Sequence, residues 1–369
     1  MHIKQARLQS LDAFRGITIA GMILVNNPGS WSHVYSPLLH AEWHGWTPTD
    51  LIFPFFLFIV GVAMVFSLER RLVDASNRRA VYLKILRRTL IIFALGVLLK
   101  VYPTFNLATI RIPGVLARIA VVYFFAAIIT LNTDIKGQAM WMIGLLLIYW
   151  GLMKLVPVPG YGAGDLSADG NLAAYLDRTL MRGHIWKENW DPEGILSTMP
   201  AIATTLSGVL VGHLIRSNQE RSHIAGWMFV SGWGAILVGL IWSIWFPINK
   251  NIWTSSYVVF TSGAALQFLG VCYWLIDVKG IKKWAYPALV YGMNAIAVFV
   301  LSGLVVRTLM HIKVQEGEST INMITWSYRH LFASWAGPLN GSLFYAIANI
   351  LFWFGIMAIL YHRRIFIKI

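Results

Sequence analysis

The sequence predicts an all-α polytopic membrane protein with about ten transmembrane helices, and three observations carry that prediction. Of its 369 residues, 57% are hydrophobic and only 12% charged, with a mean hydropathy of +0.62; soluble domains carry about 25% charged residues. Apolar runs repeatedly reach the ~18–20 residues a helix needs to cross a ~30 Å hydrocarbon core. The runs are long and uninterrupted, which favours helices over a closed barrel as the way to satisfy backbone groups in lipid.

Taken in order, the spans fall at about 13–30, 51–68, 86–103, 112–131, 138–156, 195–215, 224–246, 253–276, 284–306 and 342–361. Arg15, Arg87 and Arg88 shorten the uncharged cores of the first and third. With the N-terminus inside, nineteen Lys and Arg fall on the cytoplasmic side and ten on the other, with Arg118 inside a span. The blocks "ERRLVDASNRRAVYLKILRR", "DVKGIKK" and "HRRIFIK" share one side, so both termini are expected to face the cytoplasm. Lys4, Arg7 and Arg15 precede the first apolar stretch, but "NNPGSW" is no small-residue cleavage site, so an uncleaved first span is expected.

The net charge of +14 does not point to nucleic acid, because the basic residues stand in short blocks between spans and read as topology signals. Cys272 is the one cysteine, which excludes an intramolecular disulfide framework. No internal repeat and no soluble domain emerges, so residues 1–369 are expected to form one transmembrane domain.

The main outer connections are 31–50, 157–194 and 307–341. The second contains "GYGAGD", superficially like a dinucleotide-binding loop, but no strand precedes it and no helix signal follows. In the third, "INMITWSYRHLFASWAGPL" mixes aromatics with one Arg and one His and predicts a re-entrant or interfacial helix.

Four polar features stand out. The first outer connection gathers His33, His40, Glu42, His44 and Asp50 with no Lys or Arg, although Trp31, Trp43 and Trp46 also fit an ordinary aromatic belt. Histidine can take and return a proton near neutral pH. "HAEWH" is not HExxH, and Gly45 and Pro48 oppose a long helix, so no metal is expected. Second, Arg118 lies one or two turns inside a span, where it should face a cavity or a partner, or snorkel to a headgroup; Arg111 precedes the same span. Third, Asp191 and Glu193 open "WDPEGILSTMPAIATTLSGVLVG", where acids favour a helix start and small residues favour close packing. Fourth, Asn249, Lys250 and Asn251 interrupt two long spans with amides and an ammonium suited to hydroxyls or carboxylates.

"LQSLDAFRGITIAGMILVNNPG", "HAEWHGWTPTDLIFPFFLFIVGVAM", "RIPGVLARIAVVYFF", "WDPEGILSTMPAIATTLSGVLVG" and "PINKNIWTSSYVVFTSG" together resemble the heparan-α-glucosaminide N-acetyltransferase family and its bacterial NagX-like members, from about residue 8 to beyond 300. "LDAFRG" is also similar, more weakly, to the start of acyltransferase-3 proteins. The family resemblance implies transfer of acetyl from cytoplasmic acetyl-CoA to a glucosamine nitrogen across the membrane. It places the essential histidine at His40 and the preceding asparagine at Asn26. The lysosomal branch has Asn where this chain has His44 and a shorter spacing from the asparagine to the histidine. Its luminal N-terminal domain has no counterpart in the matched blocks, which makes a small amino sugar or glycan end the expected acceptor.

On that reading His40 is base or acetyl-carrying nucleophile, Asp50 orients it and Asn26 donates to the thioester oxygen. Arg118, Arg111, Arg87 and Arg88 are the candidate acetyl-CoA ligands. Glu193, Asn249, Lys250, Asn251 and His44 are the candidate acceptor ligands. The expected setting is the cell inner membrane, and the resemblance suggests a homodimer. Two other readings are an O-acyltransferase for an envelope glycan and a transporter for an amino sugar or muropeptide. The transporter lacks the paired broken helices that such folds show.

Overall fold

A computed structural model gives the fold, describing residues 8–74, 78–106 and 110–367. In chain order its helices are α1 (Gln9–Asn26), α2 (Ile52–Asp74), α3 (Arg78–Val101), α4 (Val115–Asn132), α5 (Ile135–Leu155), α6 (Leu172–Leu180) and α7 (Thr198–Arg216). There follow α8 (Arg221–Trp242), α9 (Ser255–Tyr273), α10 (Tyr286–Met293), α11 (Ala295–His311), α12 (Met323–Tyr328), α13 (Ser334–Ala336) and α14 (Pro338–His362). Two small hairpins pair β1 (Pro157–Val158) with β2 (Gly162–Ala163) and β3 (Lys313–Glu316) with β4 (Ser319–Asn322). Lys4, Arg7, Lys368 and the side chains of Arg70 and Arg71, all counted in the charge blocks, lie outside the described residues.

All ten segments read from the sequence are helical. Among the described residues, seven helices are long and apolar enough to cross a membrane, or eight if α10 and α11, bent by 67°, make one span. Helices α1 and α3 fall short of that standard: Asp12 and Arg15 stand inside α1, and α3 carries Arg78, Arg79, Lys84, Arg87, Arg88 and Lys100. These are the two segments whose cores the sequence already showed to be shortened.

The described residues form two compact units, Met1–Leu39 with Gln219–Phe229 and Leu266–Lys368, and His40–Asn218 with Val230–Ala265. In the first, α1 and α10 approach through glycines: a Cβ at Gly16 would lie 1.7 Å from Ala288 O, and one at Gly292 would lie 2.0 Å from Asp12 O. Asn294 marks the break between α10 and α11, with its side chain bonded to Ile365 O at 3.1 Å and Ile367 N at 2.9 Å. The segment expected to be re-entrant is α12, continued through 329–333 and α13. It reverses at Gly337, whose φ of +76° suits a residue without a Cβ, and Tyr328 OH donates to Pro338 O across the turn.

In the second unit the run of small residues in "STMPAIATTLSG" becomes the buried face of α7, including Ala201, Ala203, Thr204, Thr205 and Gly208. Its partner is α2. Lipid offers no hydrophobic drive between helices, so close backbone approach supplies the attraction. Gly61 and Gly208 allow it: added Cβ atoms would sit 2.0 Å from Thr205 O and 2.1 Å from Phe58 O. Thr205 Oγ1 donates to Leu57 O at 3.2 Å along the same seam.

Gly208→Ala should therefore force α2 and α7 apart and cost about 1–3 kcal/mol, the usual range for overpacking. Gly234→Ala, on a stretch of α8 with no neighbour within 4 Å of the new Cβ, should be neutral or gain up to about 1 kcal/mol of helix propensity. Thermal unfolding of both variants in detergent checks this; equal melting temperatures would rule out the glycine seam.

Candidate functional site

In the second unit the chain changes from polar loop to apolar helix at Pro48, and Asp50 stands in that first turn, 1% exposed. A carboxylate so placed needs hydrogen bonds to replace water. It accepts from Ala41 N at 3.0 Å, Thr47 N at 2.9 Å and Thr47 Oγ1 at 3.2 Å, all through Oδ2. Oδ1 lies 2.7 Å from His40 Nδ1. Tyr257 OH donates to the Asp50 backbone carbonyl at 2.5 Å. The carboxylate thus folds the 40–50 loop back over the start of α2.

An ionised carboxylate can only accept, so Nδ1 of His40 carries the hydrogen and Nε2 holds a lone pair. Lys250 Nζ is 3.1 Å from both ring nitrogens and 3.8 Å from Asp50 Oδ1. Equal distances to both nitrogens place the ammonium over the ring face, because an in-plane position would overlap Cε1. Of the His40 side chain, 46% is exposed. Burial pushes the Lys250 ammonium below its usual range, against the opposing pull of Asp50 and Glu193.

The loop 247–254 is tied down by hydrogen bonds and forms a platform. Asn249 is fully buried; its Oδ1 accepts from Ile252 N at 3.1 Å, its Nδ2 donates to His44 Nδ1 at 3.2 Å, and its N–H donates to Thr254 Oγ1 at 3.0 Å. Gly45 N donates to Ile248 O at 2.8 Å. Tyr149 OH holds Ile252 O from α5. Asn249, expected to contact an acceptor, clamps two loops together, while Asn251 beside it is half-buried.

Arg111 pairs bidentately with Asp191, Nε to Oδ2 at 2.7 Å and Nη2 to Oδ1 at 2.5 Å, and also with Glu193. Although burial opposes its charge, these two carboxylates hold its pKa above the usual guanidinium value. Arg118 is 2% exposed, bonds Gly194 O at 3.0 Å and Ser197 Oγ, and lies over the Trp253 ring at 5.1 Å. The structure thus gathers His40, Asp50, Lys250 and His44 in one group and Arg111, Glu193 and Arg118 in another, and the charge of Lys250 is felt from both. Arg87 is exposed on α3, and Arg88 lies over Tyr123 at 4.7 Å. Asn26 closes α1 in the other unit, exposed. Among the described residues no three His, Cys, Asp or Glu side chains come together as a metal site.

Sequence reasoning missed Tyr257, Trp253, Ser197, Gly194 and Asp177. The first two lie in or beside a stretch singled out for its amides, where an aromatic reads as ordinary core. Asp177, on α6, is 1% exposed and accepts from Ile195 N at 2.9 Å. Gly194 admits it, since a Cβ there would be 1.9 Å from Asp177 Oδ2. At the far ends of α2, α4, α5 and α7, a cavity of about 250 Å³ is lined by Leu68, Thr130, Thr133, Asp134, Gln138 and His213 among others.

Burial pushes the Asp177 carboxyl up to about 6. Its folded-state pKa is above the unfolded value, so the folded chain binds that proton more tightly. The resulting stabilisation is complete below about pH 4 and is lost as pH rises through about 6. Melting curves from pH 4 to 7 should show the wild type losing roughly 2–3 kcal/mol relative to Asp177→Asn over that window. Parallel curves would mean that the carboxyl titrates normally.

Residues 7–240 match the family described as Heparan-alpha-glucosaminide N-acetyltransferase, catalytic. The Heparan-alpha-glucosaminide N-acetyltransferases of Homo sapiens and Mus musculus are each 30% identical to the chain over 352 residues, covering 80% of it and 52% and 53% of their own lengths. The chain therefore spans about half the length of the curated relatives it matches. The family match takes in His40, Asp50, Arg111, Arg118 and Glu193 and ends before the 247–254 platform.

Proposed function

This chain belongs to the heparan-α-glucosaminide N-acetyltransferase catalytic family, and from that premise we propose that it is a transmembrane N-acetyltransferase of the inner membrane. It moves acetyl from cytoplasmic acetyl-CoA to the amine of glucosamine or a related amino sugar on the periplasmic side, working as a single acyltransferase domain. The observation that carries the reading is the 2.7 Å bond from His40 Nδ1 to Asp50, which fixes the tautomer that leaves Nε2 as base or nucleophile.

In direct transfer, His40 Nε2 takes a proton from the sugar ammonium, and the freed nitrogen attacks the thioester carbon. The C–N bond forms and the C–S bond breaks; the proton held by His40 passes to the departing thiolate, and the new amide nitrogen releases its second proton to water. In the two-step route Nε2 attacks first, carries the acetyl group, and is then relieved by the amine. Asp50 steadies the imidazolium in both, in the manner of a triad carboxylate. Glu193, Lys250, Asn251 and His44 border the acceptor.

Direction follows from charge. The basic stretch 69–88, with Arg87 and Arg88, attracts the phosphates of CoA at the cytoplasmic face. The nucleotide stays there, and the pantetheine arm reaches outward from the end where the 250 Å³ cavity opens. Sealed inside-out vesicles should use external acetyl-CoA and acetylate amino sugar held in their lumen, whereas right-side-out vesicles should need permeabilisation. Equal activity in both orientations without leakage would overturn the cross-membrane route.

His40→Ala should reduce transfer by about 10²–10⁴-fold with unchanged melting and CoA affinity, and His44→Asn should retain most activity. Turnover, thermal unfolding and calorimetric titration on the same preparations decide it. Equal loss in both variants would make the two histidines one functional pair.

A further inference from the structure

Arg118 holds more hydrogen-bonding capacity than its surroundings use. A guanidinium carries five donors in a fixed fork. Nη2 reaches Gly194 O at 3.0 Å and Ser197 Oγ, but Nε and Nη1 are buried with no hydrogen-bond partner among the described residues. Acids are close enough to act on it, namely Glu193, Asp191 and Asp177. None pairs with it among the described residues. Asp191 and Glu193 are held by Arg111, and Asp177 is turned to Ile195 N.

A buried cation with idle donors is costly unless something answers it. The fold nevertheless goes out of its way to keep this one in place. The residue beneath it, Trp253, is 1% exposed and has a φ of +52°, a left-handed conformation rare for a bulky aromatic and typical of strained functional positions. Its Nε1 donates to Thr204 Oγ1 at 3.1 Å, and Phe53 and Tyr257 meet it edge-on at 5.0 and 5.3 Å. These contacts lay the indole under the guanidinium. Trp253 N donates to Lys250 O at 3.2 Å, so one short loop carries both the seat of Arg118 and the ammonium that touches His40.

We infer that Arg118, through Nε and Nη1, is the catalytic residue that receives the acyl oxygen of the donor as it becomes an oxyanion. The inference rests on the acyltransferase reading and assigns Arg118 to the carbonyl of acetyl-CoA, leaving the diphosphate to the basic stretch at the other face. As the nucleophile bonds to the carbonyl carbon, the π pair moves onto oxygen and meets the two donors. It returns as the C–S bond breaks, and the thiolate leaves with the proton that His40 took from the amine. Donors buried and fixed before reaction favour the charged oxygen over the neutral carbonyl.

The test has two arms. Acetyl transfer by Arg118→Lys and Arg118→Met should fall about 10²–10³-fold in kcat, with KM for acetyl-CoA and calorimetric CoA affinity unchanged. Parallel loss of CoA affinity, or undiminished kcat, overturns the assignment. The second arm needs no turnover: acetyl-CoA labelled with ¹³C at the carbonyl is bound to His40→Ala and its infrared band recorded. The band should lie below its position in water and move back in His40→Ala/Arg118→Lys. An unshifted band in His40→Ala alone overturns the inference, even if Arg118 variants fail to fold. Should the wild type transfer no acetyl to any amine, the acyltransferase reading falls, and the band of bound acetyl-CoA still decides the role of Arg118.

Discussion

A carboxylate at the head of an apolar helix can stay ionised only by collecting hydrogen bonds, and Asp50 collects them from the loop that precedes it. Ala41 N and the backbone and hydroxyl of Thr47 take one oxygen, and His40 Nδ1 takes the other. The same residue therefore ends the loop, starts α2 and chooses the histidine tautomer. Tyr257 adds the third element by gripping the Asp50 carbonyl from α9. Replacing the carboxylate would release all three at once, so the loop's shape and the histidine's chemistry are one property.

The two arginines divide the work of the neighbouring acids. Arg111 takes both Asp191 and Glu193, which stabilises the start of the segment leading to α7. Arg118 is thereby left with carbonyl, hydroxyl and indole partners and with its positive field unspent. In a medium where a single charge is expensive, the arrangement separates a cation that holds the fold from a cation that remains available.

Composition and run length made the helical membrane architecture legible, because lipid imposes a length and an apolarity that few other settings do. They also made the weak members visible: Arg15, Arg87 and Arg88 depress the first and third segments, and those helices are the ones that fall short in apolarity. His40 and Asp50 were legible as ionisable groups crowded against an apolar run. Asp50 was expected to orient His40, but the turn at Thr47–Asp50 that brings the two together cannot be read from a spacing of ten residues. The bonds by which Asn249 ties its own loop to His44 were illegible for the same reason, because they depend on the turn of the 247–254 loop. Trp253 left no trace at all, as a left-handed aromatic is invisible until the backbone is traced.

The glycine seam between α2 and α7 has a bearing on how the protein can move. Both helices begin beside the polar groups of the candidate site, α2 just after Asp50 and α7 just after Gly194 and Ser197, which seat Arg118. Backbone against backbone at Gly61 and Gly208 leaves no slack for one helix to slide past the other. The pair acts as a fixed ruler that keeps the two seats at one separation. Any change in the spacing between Asp50 and the seat of Arg118 must therefore come from elements other than this pair.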